Sequence, residues 1–117
     1  PTGGVALDAD NEWAGQQTFG ETKETTYTLT GTDLDPANGT IQTKTLSGAV
    51  TLTESLEDGQ SVTLRLVGAD THTVTWPTIS WVGDDAATFG GSLTGNDWFV
   101  LWKEGGTLYG LYAGGVA

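Results

Sequence analysis

Thr71–Tyr112, THTVTWPTISWVGDDAATFGGSLTGNDWFVLWKEGGTLYGLY, holds four of the five Trp residues of this 117-residue chain, and its reading decides the fold. Thr71 to Trp76 alternates with the period of a strand and stops at Pro77, which lacks the N–H a ladder needs. Trp81 and Val82 follow as a second short apolar step. Asp97 to Lys103 and Thr107 to Ala113 read as two strands joined by Glu104-Gly105-Gly106, a short glycine-containing hairpin connection. On the first of these strands Trp98, Val100 and Trp102 share one side, and Phe99 and Leu101 the other. The last strand repeats this two-sided character, with Leu108, Gly110 and Tyr112 alternating against Tyr109, Leu111 and Ala113. Strands apolar on both sides belong in the centre of a sandwich or under a partner subunit. In so small a domain they favour an interface, which the sequence places at Trp98, Phe99, Leu101, Trp102, Tyr109, Leu111 and Tyr112.

Upstream the pattern stays β. From Lys23 to Thr30, Tyr27 and Leu29 fall on one face and Thr26, Thr28 and Thr30 on the other. GTDLDPANG, residues 31–39, is a turn cluster broken by Pro36 and Asn38-Gly39. Thr40 to Leu46 and Ala49 to Thr53 are the next strands. Gln60 to Val67 is the clearest core strand, with Val62, Leu64 and Leu66 inward and Thr63 and Arg65 outward. With no helical window, about seven or eight strands at this spacing predict an all-β fold, an antiparallel two-sheet sandwich of jelly-roll type. Residues 1–22 lack sustained periodicity and read as an extended N-terminal arm before a sandwich domain of residues 23–117. The arm's anchors are Trp13 and Phe19, with Gln17 between them. They can dock on their own domain, on a neighbouring subunit or on a carrier surface.

Composition narrows the function. The length is that of one domain. Fifteen acidic residues against four basic ones give a net charge of −11. Such a surface repels phosphate backbones and anionic membranes, so nucleic-acid and membrane binding are disfavoured. The basic residues Lys23, Lys44, Arg65 and Lys103 are scattered. Cys is absent, which suits folding in a reducing cytosol or stabilisation by oligomerisation. Pro1 is compatible with removal of a preceding Met and raises the expectation of a short, separately encoded product.

Chemistry-bearing constellations are sparse. Asp8, Asp10 and Glu12 alternate, Asp33 and Asp35 flank Leu34, and Asp84 adjoins Asp85. None has the glycine and terminal Glu of a calcium loop. His72, the only His, lies in a Thr-rich strand without the Cys, Ser or Asp partners of a zinc site or a triad. No phosphate-binding glycine pattern occurs, so no cofactor, metal or catalytic residue is assigned and the chain reads as non-enzymatic. Trp76, Trp81, Trp98, Trp102, Tyr109 and Tyr112 fit a core, a subunit interface or a sugar-stacking platform of a carbohydrate-binding module.

The residues Thr73-Val74-Thr75-Trp76-Pro77, Trp81, Gly105-Gly106-Thr107 and Tyr109-Gly110 give the order TVTWP, W, GGT, YG. That order resembles the terminal β-domain of structural proteins of tailed-phage virions, chiefly tail fibres. Asn11-Glu12-Trp13 with Gly15-Gln16-Gln17-Thr18-Phe19 is similar to the N-x-W-x-G-x-Q-T-F segment that introduces such domains. The resemblance implies a homotrimeric structural or adhesive protein on the virion exterior, made in the host cytoplasm, with a phage capsid or tail protein as partner. A chain this short fits a capsid decoration protein, of the cement or head-fibre kind, more easily than a whole tail fibre. The other readings are a tail-fibre or tail-tip receptor-binding domain, whose loops 31–39 and 83–96 would meet a host-surface glycan or protein, and a carbohydrate-binding module unrelated to phage.

Overall fold

The computed structural model describes residues 14–16, 18–83 and 93–116. Within them lie ten strands: β1 (Tyr27–Thr28), β2 (Asp33–Leu34), β3 (Ile41–Thr45), β4 (Val50–Thr51), β5 (Thr53–Glu54), β6 (Ser61–Val67), β7 (Val74–Thr75), β8 (Ser80–Trp81), β9 (Asn96–Glu104) and β10 (Thr107–Gly115). One 3-10 turn, Pro36–Asn38, interrupts them, and there is no α-helix among the described residues. Asp35 caps that turn by accepting a hydrogen bond from the Ala37 N–H, and Pro36 supplies the fixed φ of its first position.

The fold is all-β and layered. A six-stranded sheet runs in the order β1-β3-β6-β9-β10-β8, and the pairs β2-β5 and β4-β7 form two small ladders. Leu34 of β2, Leu52 between β4 and β5, and Leu56 join Val62, Leu64, Leu66, Phe99 and Leu101 in one buried cluster. The ladders therefore cover one face of the large sheet, as a sandwich requires.

The pairing within these layers departs from the antiparallel expectation. Only β6-β9 and β9-β10 are antiparallel; β1-β3, β3-β6, β2-β5, β4-β7 and β8-β10 are parallel. Parallel neighbours need a crossover. Here the β1–β3 crossover carries β2 and the 3-10 turn, and the β3–β6 crossover carries β4 and β5, with no α-helix in either; along the chain β7 lies between β6 and β8. The chain thus coils over itself, setting Tyr27 beside Gln42 and Gln42 beside Leu64, and Val50 beside Val74. A sequence without helical windows suggests hairpins, so both the crossovers and the larger strand number escaped the periodicity reading.

The crossovers also explain an inversion on β3. Ile41 is 38% exposed, whereas Gln42 and Lys44 are buried. Coiled loops turn carbonyls toward the interior, and these two side chains supply the donors. Gln42 Nε2 donates to the Asp35 and Gly39 carbonyls, each at 2.9 Å, and Lys44 Nζ donates to the Gly31 carbonyl at 2.5 Å. Buried carbonyls without donors would each cost about 1–3 kcal/mol. The segment 31–39 is accordingly more than a surface turn: Leu34 in its middle is fully buried, while Gly31, Thr32, Ala37 and Asn38 stay exposed.

β6 matches its sequence pattern, with Val62, Leu64 and Leu66 at 0% exposure. The hairpin does too. Glu104 pairs with Thr107, and the two residues between them, Gly105 and Gly106, both take positive φ (61° and 81°). That is the primed turn which matches strand twist and which only glycine adopts freely at both places. The Thr71–Trp76 strand is shorter than its alternation suggests, reduced to Val74–Thr75 in β7. His72 lies in the turn before β7, its N–H bonded to the Gly68 carbonyl.

Candidate functional site

β9 and β10 present two faces with different tasks. Inward, Phe99 meets Trp76 at 4.8 Å and Tyr112 at 5.2 Å between ring centroids, and Trp81 stands edge-on to Trp76 at 5.2 Å. Gly110 lies beneath them: a Cβ there would come within 2.8 Å of Ile79 and 2.9 Å of both Leu101 and Trp81. The residues that carry the resemblance, Trp76, Trp81 and Gly110, thus form an aromatic cluster closed over a glycine. Their chemistry is packing: Trp76 and Trp81 are half-buried against Phe99, whose complete burial contributes about 2–3 kcal/mol.

The same face holds a buried carboxylate. Asp97, at 0% exposure, accepts from the Gly95 N–H at 2.9 Å, the Thr94 N–H at 3.0 Å and the Tyr112 hydroxyl at 2.6 Å. Burial, followed by the hydrogen bond to Asp97 and its charge, pushes the Tyr112 phenol up to about 12. With its lone pairs filled from the protein, Asp97 ties the 94–97 turn to β10.

Phe99 and Leu101 are fully enclosed by their own chain, and Tyr112 packs on the same core. This corrects the interface assignment for Phe99 and Leu101, whereas Tyr112 is only half-buried. A strand apolar on both sides does not reveal which side its own second layer covers, and here that side is the one bearing Phe99.

Outward, the remaining candidates come together. Register aligns Ile41, Thr63, Val100 and Leu111 in one row across four strands, and Ser61, Trp102, Tyr109 and Ser80 in a second. A third row brings Thr43 and Arg65 beside Trp98. Trp102 and Tyr109 stack on each other at 5.9 Å and 18°. Arg65 lies over the Trp98 ring at 5.9 Å and donates through Nε to Asn96 Oδ1 at 2.6 Å. Leu111 and Ile41 are more than a third exposed. Each of these three rings already has one face covered by protein, unlike the open, flat array on which a sugar stacks.

Charge is distributed unevenly around this surface. In the six-stranded sheet the carboxylates are Asp97, which points inward, and Glu104, at the rim beside the turn; every other described acid lies outside that sheet. Arg65 is the one cation at its outward positions. Ile41, Thr63 and Arg65 were not singled out as site residues by sequence. The β6 alternation does put Thr63 and Arg65 outward, but no local signal says that β6 lies beside β9.

Asp33 and Asp35 serve as structural clips. Asp33 accepts from Thr53 Oγ1 at 2.8 Å and Ser55 Oγ at 2.6 Å, and Asp35 caps the 3-10 turn. No group of three or more metal-ligating side chains converges among the described residues. His72 lines a cavity of about 160 Å³ together with Ala69, Val74, Trp76, Leu93 and Phe99.

Of the arm's anchors, Phe19 is 67% exposed, while Trp13 and Gln17 lie outside the described residues, as do Asp8, Asp10, Glu12, Asp84 and Asp85. The described chain before β1 is exposed and belongs to no strand or helix, and Glu24 ties it to the start of β3. Glu24 accepts from the Thr40 N–H at 2.6 Å, the Thr40 hydroxyl at 2.7 Å and the Ile41 N–H at 3.1 Å. These bonds, the Thr40 hydroxyl's first, lower the pKa of its carboxyl below the ordinary value. Comparison of the chain with protein families, with curated proteins and with solved structures yields no match.

Proposed function

We propose that this chain is a non-enzymatic structural protein of a tailed-phage virion, a homotrimeric decoration protein displayed on the capsid exterior. The observation that carries this reading is the pair of surfaces the protein exposes. One is a neutral aromatic face on a chain of net charge −11; the other is a segment before β1 that leaves Phe19 exposed. Both suit docking, and neither assembles groups for catalysis. The resemblance in the TVTWP and GGT-x-YG segments supports the virion assignment, and the packing of Trp76, Trp81 and Gly110 gives those residue types a structural reason. Burial of Phe19 against a carrier would contribute about 2 kcal/mol per arm, and three arms on one trimer act together. That suffices to hold a small protein on a large surface.

Electron microscopy of purified virions labelled with an antibody to this chain tests the reading. Label over the head is the expected result, and deletion of residues 1–20 should then abolish binding to particles. Label at the tail end would make the chain an adhesin, with loops 31–39 and 83–96 as its contact surface. Virions without label would sink the assignment.

A further inference from the structure

We infer that the outward face of the six-stranded sheet, centred on Val100, Leu111, Trp98 and Trp102 and extended by Ile41 and Arg65, is the surface through which copies of this chain meet. The inference deepens the virion reading, from which it takes only the number of copies; the choice of surface rests on the sheet itself.

Charge decides what covers this face. A basic partner drawn by the net charge of −11 would settle where the acids are. Among the described residues the carboxylates bordering this face are Glu104, at the rim, and Glu24, whose oxygens are taken up by the Thr40 and Ile41 N–H groups at the start of β3. An acidic partner would find Arg65, whose guanidinium is already engaged by Asn96 and Trp98, and Lys23, which lies beside Ile41 together with Glu24. The complement of a neutral face of aromatic, aliphatic and hydroxyl side chains is another such face, and each copy carries one. Bringing the faces together also leaves the acids of the coiled layer, Asp33 and Glu54 among them, on the far side of each copy, where repulsion is weakest.

Size sets the strength. Four strands and three rows of side chains cover roughly 350 Å², under half of the roughly 800 Å² that each partner buries in a standard interface. Contact through this face alone is therefore concentration-dependent, with dissociation near about 100 µM. Because the copies repel through their remaining charge, raising salt from about 20 to about 150 mM should tighten the association about tenfold. A contact made by opposite charges would loosen instead.

Sedimentation equilibrium of the purified full-length chain is the test, read with and without salt for the native protein, Leu111→Glu, Ile41→Glu and a control, Thr51→Glu, on the exposed side of β4. The expected result is a mass that rises with concentration and with salt in the native chain and the control, but stays that of one chain in both face variants, with the native near-ultraviolet circular dichroism retained. A single-chain mass for the native protein at about 1 mM would overturn the inference, as would face variants that assemble like the control. An assembling chain that fails to label virions keeps this inference and removes the virion reading; a monomer that labels them overturns this inference and the homotrimer and keeps the virion location.

Discussion

Residues 27–75 and residues 96–115 contribute to the same sheet by opposite rules. In the first region a strand finds its partner 15 residues away (Tyr27 and Gln42) or as many as 24 (Val50 and Val74), always in parallel. Its interior accepts polar side chains, Gln42 and Lys44, because coiled crossovers bring carbonyls inward that need donors. In the second region partners are joined by two glycines. The interior there is aromatic, and one buried acid is answered by a Tyr hydroxyl and turn amides. The comparison teaches that the coiled half is held by backbone satisfaction and leucine packing, and the hairpin by large rings on a local scaffold. The surface proposed for docking is the back of the second, where the same strands that build the core remain apolar toward solvent.

Substitutions can break that contrast, and the largest effect belongs to the hairpin. Phe99→Ala removes the ring that Trp76 and Tyr112 pack against, and should cost about 4 kcal/mol in urea-induced unfolding. A loss below about 1 kcal/mol would mean that the cluster does not organise the core. In the coiled half, Leu34→Ala should cost about 3 kcal/mol in the same assay. A residue in a true surface turn would lose almost nothing, so this variant asks whether segment 31–39 belongs to the interior.

Asp97→Asn follows at about 2 kcal/mol, because its amide group would oppose turn N–H donors that the carboxylate now accepts. The Tyr112 end of this network has a pH signature. Its folded pKa of about 12 lies above the ordinary 10.0, so the stabilisation it gives is fully present below pH 10. It is lost as pH rises from about 10 through 12. Tyr112→Phe should remove that part of the alkaline decline in thermal midpoint; an unchanged decline would refute the contact with Asp97.

Smallest is Glu24→Gln, which should leave global stability nearly unchanged and speed hydrogen exchange at the Thr40 and Ile41 amides. Since the Glu24 pKa is lowered from 4.5, its contribution is present above that value and fades as pH falls through the depressed pKa. In the native chain the protection of the same two amides, relative to their intrinsic exchange rates, should fall likewise in acid.

Legibility follows the same division. Alternation in SVTLRLV correctly orients β6, and the glycine pair correctly places the hairpin, because both signals are local. The inversion at Ile41, Gln42 and Lys44 was invisible, since hydropathy alone would bury Ile41 and expose Lys44. Only the carbonyls of residues 31, 35 and 39, brought in by the crossover, reverse that preference. Leu34 was hidden among turn-forming residues for the same reason. For the candidate surface, the sequence named Trp98, Trp102, Tyr109 and Leu111 but could not separate them from Phe99, Leu101 and Tyr112. The missing information was which side the small ladders cover.

By itself the sequence determined an all-β chain, its central strand, its closing hairpin and a strongly acidic character, because periodicity, glycine φ freedom and net charge are properties of neighbouring residues or of simple sums. The tertiary structure alone decided the parallel coiling, the burial of Gln42, Lys44 and Leu34, and the sorting of the hairpin's apolar residues into core and surface. Each of these depends on which strand lies beside which, and that choice is made by contacts between residues far apart in the chain.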